Sequence, residues 1–188
     1  MGMNTRYVKE YFYKKKIRST FVWILEIIAA ILLAAAFSWF FCRSVVVQEG
    51  SMEPTLVPGE RVLMDSAWYR LSSPQRGDII AIRTSEDKKA SIHIKRVIAL
   101  PGETVQIKDG QILINGEVYN EKDEFPAITN AGLASEPITV GKGQYFVLGD
   151  NRNNSEDSRH NGMGLVNSDR IVGKLWFTIS PWKKIGFV

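Results

Sequence analysis

The chain has 188 residues, which suits one well-packed domain of ordinary size with a tail and is short for two domains. Its formal charge of +4 would favour a nucleic-acid partner only if the basic residues were spread over the folded part. They are concentrated in residues 1–18, where six basic residues stand against Glu10 and give a net charge of +5, while residues 19–188 carry −1. The charge distribution therefore argues against nucleic-acid binding, and a single cysteine excludes an internal disulfide.

Residues 19–42 form an apolar run, STFVWILEIIAAILLAAAFSWFFC, in which Glu26 is the charged exception. At a rise of about 1.5 Å per residue, a helix of this length can span a hydrocarbon core of about 30 Å. The basic segment before the run predicts a cytoplasmic N-terminus by the positive-inside bias. We therefore predict a cytoplasmic tail over 1–18, a single-pass anchor in the cell membrane over 19–42, and an extracytoplasmic domain over 43–188.

A cleavable signal peptide is the alternative interpretation of this run. The alanines at 34–36 could form a small-residue cleavage site after a short apolar stretch. The run continues, however, through bulky aromatic residues between 37 and 41, which favours an anchor that is retained.

Beyond the anchor, alternating and β-branched runs predict a mostly β domain. Predicted strands cover 43–48, 61–65, 78–83, 91–100, 104–108, 111–115, 145–149 and 170–179. Asp109-Gly110 and Asn115-Gly116 are hairpin turn signals, so 104–120 is expected to form a meander of three short strands. Residues 121–140 are polar and interrupted by proline and glycine, which predicts a small excursion between strands. The expected fold is an antiparallel β-sheet or barrel-like domain behind one N-terminal transmembrane helix.

Ser51 lies between a glycine and a Met-Glu-Pro-Thr turn, and a serine nucleophile needs a base. A triad of Ser51, His160 and Asp157 is one candidate arrangement, because triad members occur in any chain order and spacing alone neither excludes nor supports it. Lys95 is another candidate, since apolar neighbours in the strand SIHIKRVIAL could desolvate it and lower its pKa towards that of a useful base. On the strand pattern alone, a lysine on an exposed face is the more ordinary interpretation.

The loop GDNRNNSEDSR, residues 149–159, predicts only turn chemistry when it is taken alone. It does not fit a calcium loop, because the third, sixth and twelfth positions counted from Asp150 are Arg152, Ser155 and Asn161. We expect no metal and no cofactor.

Three segments, Ser51–Thr55, Lys95–Glu103 and Gly149–Arg159, together resemble the signature boxes of bacterial type I signal peptidases, and Gly77–Ile80 resembles a fourth. The segments follow the family's order behind its membrane anchor, and the resemblance extends from about Arg18 to the C-terminus. The short excursion and single anchor are similar to the compact Gram-positive-type enzymes. The resemblance implies a serine endopeptidase that removes signal peptides from exported preproteins. It also implies the lipid bilayer as a partner, with the secretion translocon as a candidate partner.

By position, the resemblance implies that Ser51 is the nucleophile, Lys95 the general base and Ser155 the residue that orients the lysine. Two supporting ion pairs in the family match Asp150 with Arg96, and Asp157 with Arg159.

Glu49 departs from part of the family, in which some members have a serine two positions before the nucleophile that donates to the oxyanion hole. An ionised Glu49 has no donor, so the backbone N–H of Ser51 is the donor that this stretch offers. His93 raises a second question, because endoplasmic-reticulum members use histidine as the base. Here Lys95 stands directly before Arg96 and Val97, which matches the bacterial lysine type.

Two other functions share features with this interpretation. A non-catalytic relative could serve as an adaptor in assembling surface structures, although Ser51, Lys95 and Ser155 are all present. A self-cleaving repressor-type serine/lysine protease would need a DNA-binding module, and residues 1–18 are too few to fold into one. Ser51 follows Cys42 by nine residues, so an extended chain places it within about 30 Å of the end of the anchor. We therefore expect the active site near the outer membrane surface.

Overall fold

The computed structural model describes residues 5–41, 43–66, 69, 72–84 and 91–188, with helix side chains described over 18–36. It divides into a helical unit, Met1–Phe40, and a β unit, Phe41–Val188.

The helical unit contains one long helix, α1, which runs from Thr5 to Phe41 over 37 residues. Its segment Arg18–Ala36 is long and apolar enough to cross a membrane. The side chains of this segment are exposed on every face of the helix. A helix that is apolar all round and unburied is typical of a membrane span. The predicted anchor over 19–42 falls on this helix, apart from Cys42, which lies outside the described residues.

The described part of the β unit contains twelve strands, and each of the eight predicted strand segments overlaps one of them. The strands are β1 Arg43–Val46, β2 Arg61–Asp65, β3 Ile79–Arg83, β4 Ile92–Ala99, β5 Thr104–Lys108, β6 Gln111–Ile114, β7 Glu117–Val118, β8 Ile138–Thr139, β9 Gln144–Leu148, β10 Val166–Asn167, β11 Ile171–Ser180 and β12 Gly186–Phe187.

These strands form two sheets whose recorded pairings are all antiparallel. The larger sheet has the order β1-β2-β11-β3-β4-β9-β10 with β12 on β11, and the smaller has the order β7-β6-β5-β8. Asp109, Gly110, Asn115 and Gly116 all have positive φ, as the two predicted hairpin turns require. The prediction of a mostly β, antiparallel domain behind one apolar helix is confirmed.

The segment 121–140 is more than the polar excursion that its composition suggests. It contains a 3-10 turn, Gly132–Ser135, and β8, which pairs with β5 in the smaller sheet. Ile128 and Ala134 are buried and pack with Phe146 in the core beside that sheet. Spaced apolar residues between prolines and glycines lack the periodicity of a strand, which is why the pattern did not reveal their burial.

A 3-10 turn, Gly50–Met52, follows β1 and carries the serine of interest. Met52 and Leu56 are completely buried and pack with Val62, Ile79 and Leu175 in the core of the larger sheet. Burial of these two apolar side chains fixes the turn against β4, which is the strand that carries Lys95.

Candidate active site

Ser51 and Lys95 are brought into direct contact by the 3-10 turn and β4. Lys95 Nζ donates a hydrogen bond to Ser51 Oγ over 2.7 Å. Ser51 is 7% exposed and Lys95 is 0% exposed, so the contact lies inside the protein. A serine hydroxyl paired with a buried amine is an arrangement in which the amine can take the hydroxyl proton.

Burial lowers the pKa of Lys95 below its ordinary value, while four nearby carboxylates act in the opposite direction, in descending order Glu49, Asp157, Glu156 and Asp150. The amine lies on β4, where Lys95 is paired with the buried Ile80 of β3. The interpretation of Lys95 as a lysine on an exposed strand face is therefore wrong, because this face of β4 is covered by the turn that carries Ser51.

Arg96 and Asp150 form a two-point ion pair between β4 and the loop after β9. Arg96 Nε and Nη2 donate to the two carboxylate oxygens of Asp150 over 2.8 and 2.7 Å. Thr55 Oγ1 also donates to Asp150 over 2.6 Å. The next residue, Asn151, donates from its backbone N–H to the carbonyl of Ser51 over 3.0 Å. These bonds tie the loop, the strand of the lysine and the turn of the serine together.

Asp157 and Arg159 form the second ion pair inside the same loop. Arg159 Nε and Nη2 donate to the two Asp157 oxygens, each over 2.8 Å, and both residues are buried. Asp157 also accepts from the backbone N–H of Gly149 over 3.1 Å, and Arg159 donates to the carbonyl of Arg152 over 2.7 Å. The pair closes the loop on itself and fixes the backbone of Gly149, which lies close to the carbonyl of Ser51.

Ser155 lies in this loop with its hydroxyl buried and without a hydrogen-bond partner among the described residues. Its side chain lies against Gly149, at a point where the carbonyl of Ser51 also approaches. The structure therefore brings Ser155 close to the turn of the nucleophile without a hydrogen bond to Lys95, and its orienting role stays a prediction.

His160 is not brought to Ser51. Its Nδ1 lies 3.8 Å from a carboxylate oxygen of Asp157 and accepts weakly from the Asp157 backbone N–H over 3.4 Å. The Asp157 carboxylate is instead bonded to Arg159, and the Ser51 hydroxyl is bonded to Lys95. The triad of Ser51, His160 and Asp157 is therefore not formed in this structure.

One supporting cluster has no counterpart in the sequence predictions. Arg152 is 2% exposed and donates to both carboxylate oxygens of Glu121 over 2.5 and 2.6 Å. The ring of Phe125 lies 4.3 Å from the guanidinium of Arg152 and 5.3 Å from that of Arg96. The segment after β7 thus packs on the arginines of the site from outside. Glu121 and Phe125 belong to no periodic pattern. The one signal for this cluster in the sequence was an aromatic residue among charged ones, which could stack on an arginine.

A second unpredicted contact joins His93 and Glu49 beside the dyad of Ser51 and Lys95. His93 Nδ1 donates to Glu49 Oε2 over 3.0 Å, and the same oxygen lies 3.9 Å from Lys95 Nζ. Strand alternation did place His93 and Lys95 on one face, but it gave no means of placing Glu49 between them.

Within the described residues, no cluster of three or more His, Cys, Asp or Glu side chains is arranged to hold a metal ion. What the site does contain is a buried hydroxyl, a buried amine whose pKa is lowered, and two ion pairs that hold them in place. This arrangement can perform acyl transfer to serine.

A family model and sequence relatives match this chain over nearly its whole length. The family model described as signal peptidase, peptidase S26, matches residues 20–182. Signal peptidase I T of Bacillus subtilis (strain 168) is 41% identical over 180 residues, which cover 92% of this chain and 91% of that protein. Signal peptidase I of Bacillus licheniformis is 38% identical over 178 residues, which cover 90% and 94%. A crystal structure of a signal peptidase I from Enterococcus faecalis V583 is 34% identical with a TM-score of 0.45, and covers 55% of this chain and 97% of that chain.

Proposed function

This chain belongs to the signal peptidase family, peptidase S26, and from this premise we propose that it cleaves its substrates with Ser51 as nucleophile and Lys95 as general base. Its activity is the endoproteolytic removal of signal peptides from exported preproteins, and the apolar helix anchors it in the membrane. The observation that carries the dyad is the 2.7 Å contact between Lys95 Nζ and Ser51 Oγ, made by a lysine that is completely buried.

The first half of the reaction acylates the serine. A neutral Lys95 takes the hydroxyl proton while Ser51 Oγ attacks the scissile carbonyl carbon, and the electron pair of the carbonyl moves onto its oxygen. When the tetrahedral intermediate collapses, Lys95 returns the proton to the leaving amine, which is the new N-terminus of the mature protein. The signal peptide remains as an ester on Ser51.

The second half hydrolyses this ester. Lys95, again neutral, takes a proton from water while the hydroxide attacks the ester carbonyl, and the proton then returns to Ser51 Oγ as the signal peptide leaves with a free carboxylate. The backbone N–H of Ser51 is the oxyanion donor proposed for both steps, because the side chain of Glu49 supplies none when it is ionised. Since burial lowers the pKa of Lys95, activity is expected to fall only when the pH drops through that lowered value.

The remaining residues are proposed as supports. Asp150 with Arg96, and Asp157 with Arg159, hold the strand and loop around the dyad through two bonds each. Ser155 is proposed to orient Lys95 during the reaction. Its buried hydroxyl has unused hydrogen-bonding capacity, which is costly unless a partner is found.

We also propose that residues 1–18 lie in the cytoplasm and that the β unit lies outside it. The support is the basic tail in front of the apolar helix. In this orientation the lipid bilayer is a direct partner, and the secretion translocon is a candidate partner that would deliver preproteins.

The test is cleavage of a preprotein by the full-length enzyme in detergent. Ser51→Ala and Lys95→Ala are each expected to reduce the cleavage rate at least about 100-fold, because one removes the nucleophile and the other the base. Ser44→Ala and Lys108→Ala are the matched controls, since both residues are exposed strand residues and should leave the rate unchanged.

Circular dichroism and thermal melting establish that each variant is folded. Full activity in Lys95→Ala together with loss in His160→Ala would overturn the lysine mechanism. A non-catalytic adaptor would leave the preprotein uncut by the wild-type protein.

A further inference from the structure

Glu49 lies between two side chains on the same face of β4. It directly precedes the 3-10 turn of Ser51 in an extended conformation, with φ −116° and ψ 148°, and its side chain makes no capping hydrogen bond to the turn. His93 and Lys95 are two residues apart on the strand, so both point towards it. Its oxygen Oε2 accepts a hydrogen bond from His93 over 3.0 Å but stops 3.9 Å from Lys95 Nζ, which is outside hydrogen-bond range. The carboxylate thus bonds to the histidine and not to the lysine.

The position of this carboxylate matters because Lys95 must be neutral to accept a proton. A carboxylate in contact with an amine favours the charged ammonium form. It would also compete with Ser51 Oγ for the hydrogen bond that Lys95 Nζ now donates over 2.7 Å. A movement of about 1 Å by Glu49 would therefore turn the present 3.9 Å approach into a direct charge-assisted hydrogen bond between the carboxylate and Lys95 Nζ.

The other carboxylates that face Lys95 are restrained in a different way. Asp150 and Asp157 are each held by two bonds from an arginine. Glu156 lies exposed on the loop, and the residues of β3 opposite Lys95 and His93 are the apolar Ile80 and Ile82. Of the four carboxylates, Glu49 alone is within ion-pair range of Nζ, and its partner is a histidine.

We propose that His93 is a positioning residue that holds the Glu49 carboxylate away from Lys95 and so keeps the amine available as a base. The inference rests on the proposed role of Lys95. The histidine is suited to this task because Nδ1 carries a proton both in the Nδ1–H tautomer of the neutral ring and in the imidazolium. In both forms it can donate to the Glu49 carboxylate. Glu49 is 47% exposed and His93 20% exposed in their side chains, so the carboxylate has room to move when the histidine is removed.

The experiment measures the pH dependence of kcat/KM for preprotein cleavage by the full-length enzyme, which reports groups of the free enzyme. In His93→Ala the carboxylate moves onto Lys95, so the acid limb is expected to shift upward by about one pH unit. In Glu49→Gln the charge is absent, so the limb is expected to shift downward. The double variant should follow Glu49→Gln, because His93 acts only through the charge of Glu49.

His93→Asn supplies a rescue, since its amide can donate to Glu49 from nearly the position of Nδ1. It should restore the wild-type limb, which a merely structural role of the imidazole would not predict. Two matched controls test specificity. His160→Ala removes the other histidine and should leave the limb in place, and Glu156→Gln removes an exposed charge and should give the same small shift with or without His93.

An unchanged or downward-shifted limb in His93→Ala, or an equal upward shift in the Glu49→Gln background, would overturn the proposal. Lys95→Ala is assayed in parallel. If that variant keeps its activity, the proposed function itself has failed. If it is inactive and the acid limb of the pH profile is unchanged in His93→Ala, only the positioning role of His93 has failed.

Discussion

Burial of the Lys95 amine lowers the stability of the folded protein, and the same burial is needed for the amine to act as a base. The side chain is 0% exposed, and burial lowers its pKa. A buried base with a lowered pKa is protonated in the unfolded chain at pH values where the folded protein keeps it neutral. The unfolded state therefore binds the additional proton, and part of the free energy of folding is lost at neutral pH.

We predict that Lys95→Met is inactive and more stable than the wild-type enzyme at neutral pH. Between the lowered folded pKa and the ordinary value of 10.5, the stability of the wild-type protein rises with pH. Methionine has no proton to lose and fits a volume similar to that of lysine. The advantage of the variant should therefore be largest at low pH and shrink towards pH 10.5, by about 1.4 kcal/mol for each unit of pKa lowering.

Urea unfolding of the full chain in detergent, followed by circular dichroism across this pH range, measures the difference. Lys108→Met is the control, because Lys108 is exposed on β5 and should show no such pH dependence. A stability difference that is the same at every pH would show that packing, not ionisation, is responsible.

At the scale of elements, the sequence predicted the strands well because their signals are local. The segments 61–65 and 104–108 match β2 and β5 to the residue. Asp109 and Asn115 adopt the positive φ that their turn type demands. Such features follow from alternation and turn chemistry within a few residues of each other.

The contacts around the dyad depend on elements that are far apart in the chain and were predicted only through resemblance. The pairing of Lys95 with Ser51 spans 44 positions, and that of Arg96 with Asp150 spans 54. Periodicity carries no information about which of Lys95, His93 and His160 reaches the serine. The contact of Glu49 with His93 was missed for the same reason, and the burial of Ile128 was missed because no period marks it.

At Gly149 the loop after β9 passes close to the backbone of Ser51. A Cβ at this position would overlap both the backbone oxygen of Ser51 and the side chain of Ser155. Its backbone N–H is also fixed by Asp157 over 3.1 Å, so the backbone has little freedom to withdraw. Only glycine allows the loop and the turn of Ser51 to approach this closely.

We predict that Gly149→Ala loses cleavage activity and is destabilised by about 1 to 3 kcal/mol, as is usual for overpacking of a buried site. Gly186→Ala is the control, because a Cβ there meets nothing within 4 Å. Cleavage rates and urea unfolding of both variants in detergent provide the comparison. Wild-type activity in Gly149→Ala would show that the loop can move away without disturbing Ser51.

At the scale of the whole molecule, net charge differs strongly between the segment before the apolar helix and the rest of the chain. This difference bears on the orientation of the protein in the membrane. Residues 1–18 carry a net charge of +5, whereas residues 19–188 carry −1. Basic residues within 15 to 20 positions of a span resist translocation, roughly independently of the acidic ones. The tail therefore carries most of the orientation signal that this sequence offers.

We predict that the tail is cytoplasmic and that its lysines determine this. In intact cells stripped of their wall, external protease should digest the β unit and spare an epitope tag at the N-terminus. Replacing the three lysines at 14–16 with glutamine lowers the net charge of the tail from +5 to +2 and weakens the retention signal, so a fraction of the chains should expose the tag outside. The same substitution of Lys108, Lys142 and Lys183, which are exposed in the β unit, should not change the orientation, because these residues lie far along the chain from the span. Digestion of the N-terminal tag in the wild-type protein would reverse the assignment and place the dyad on the side from which preproteins depart, where cleavage after export could not occur.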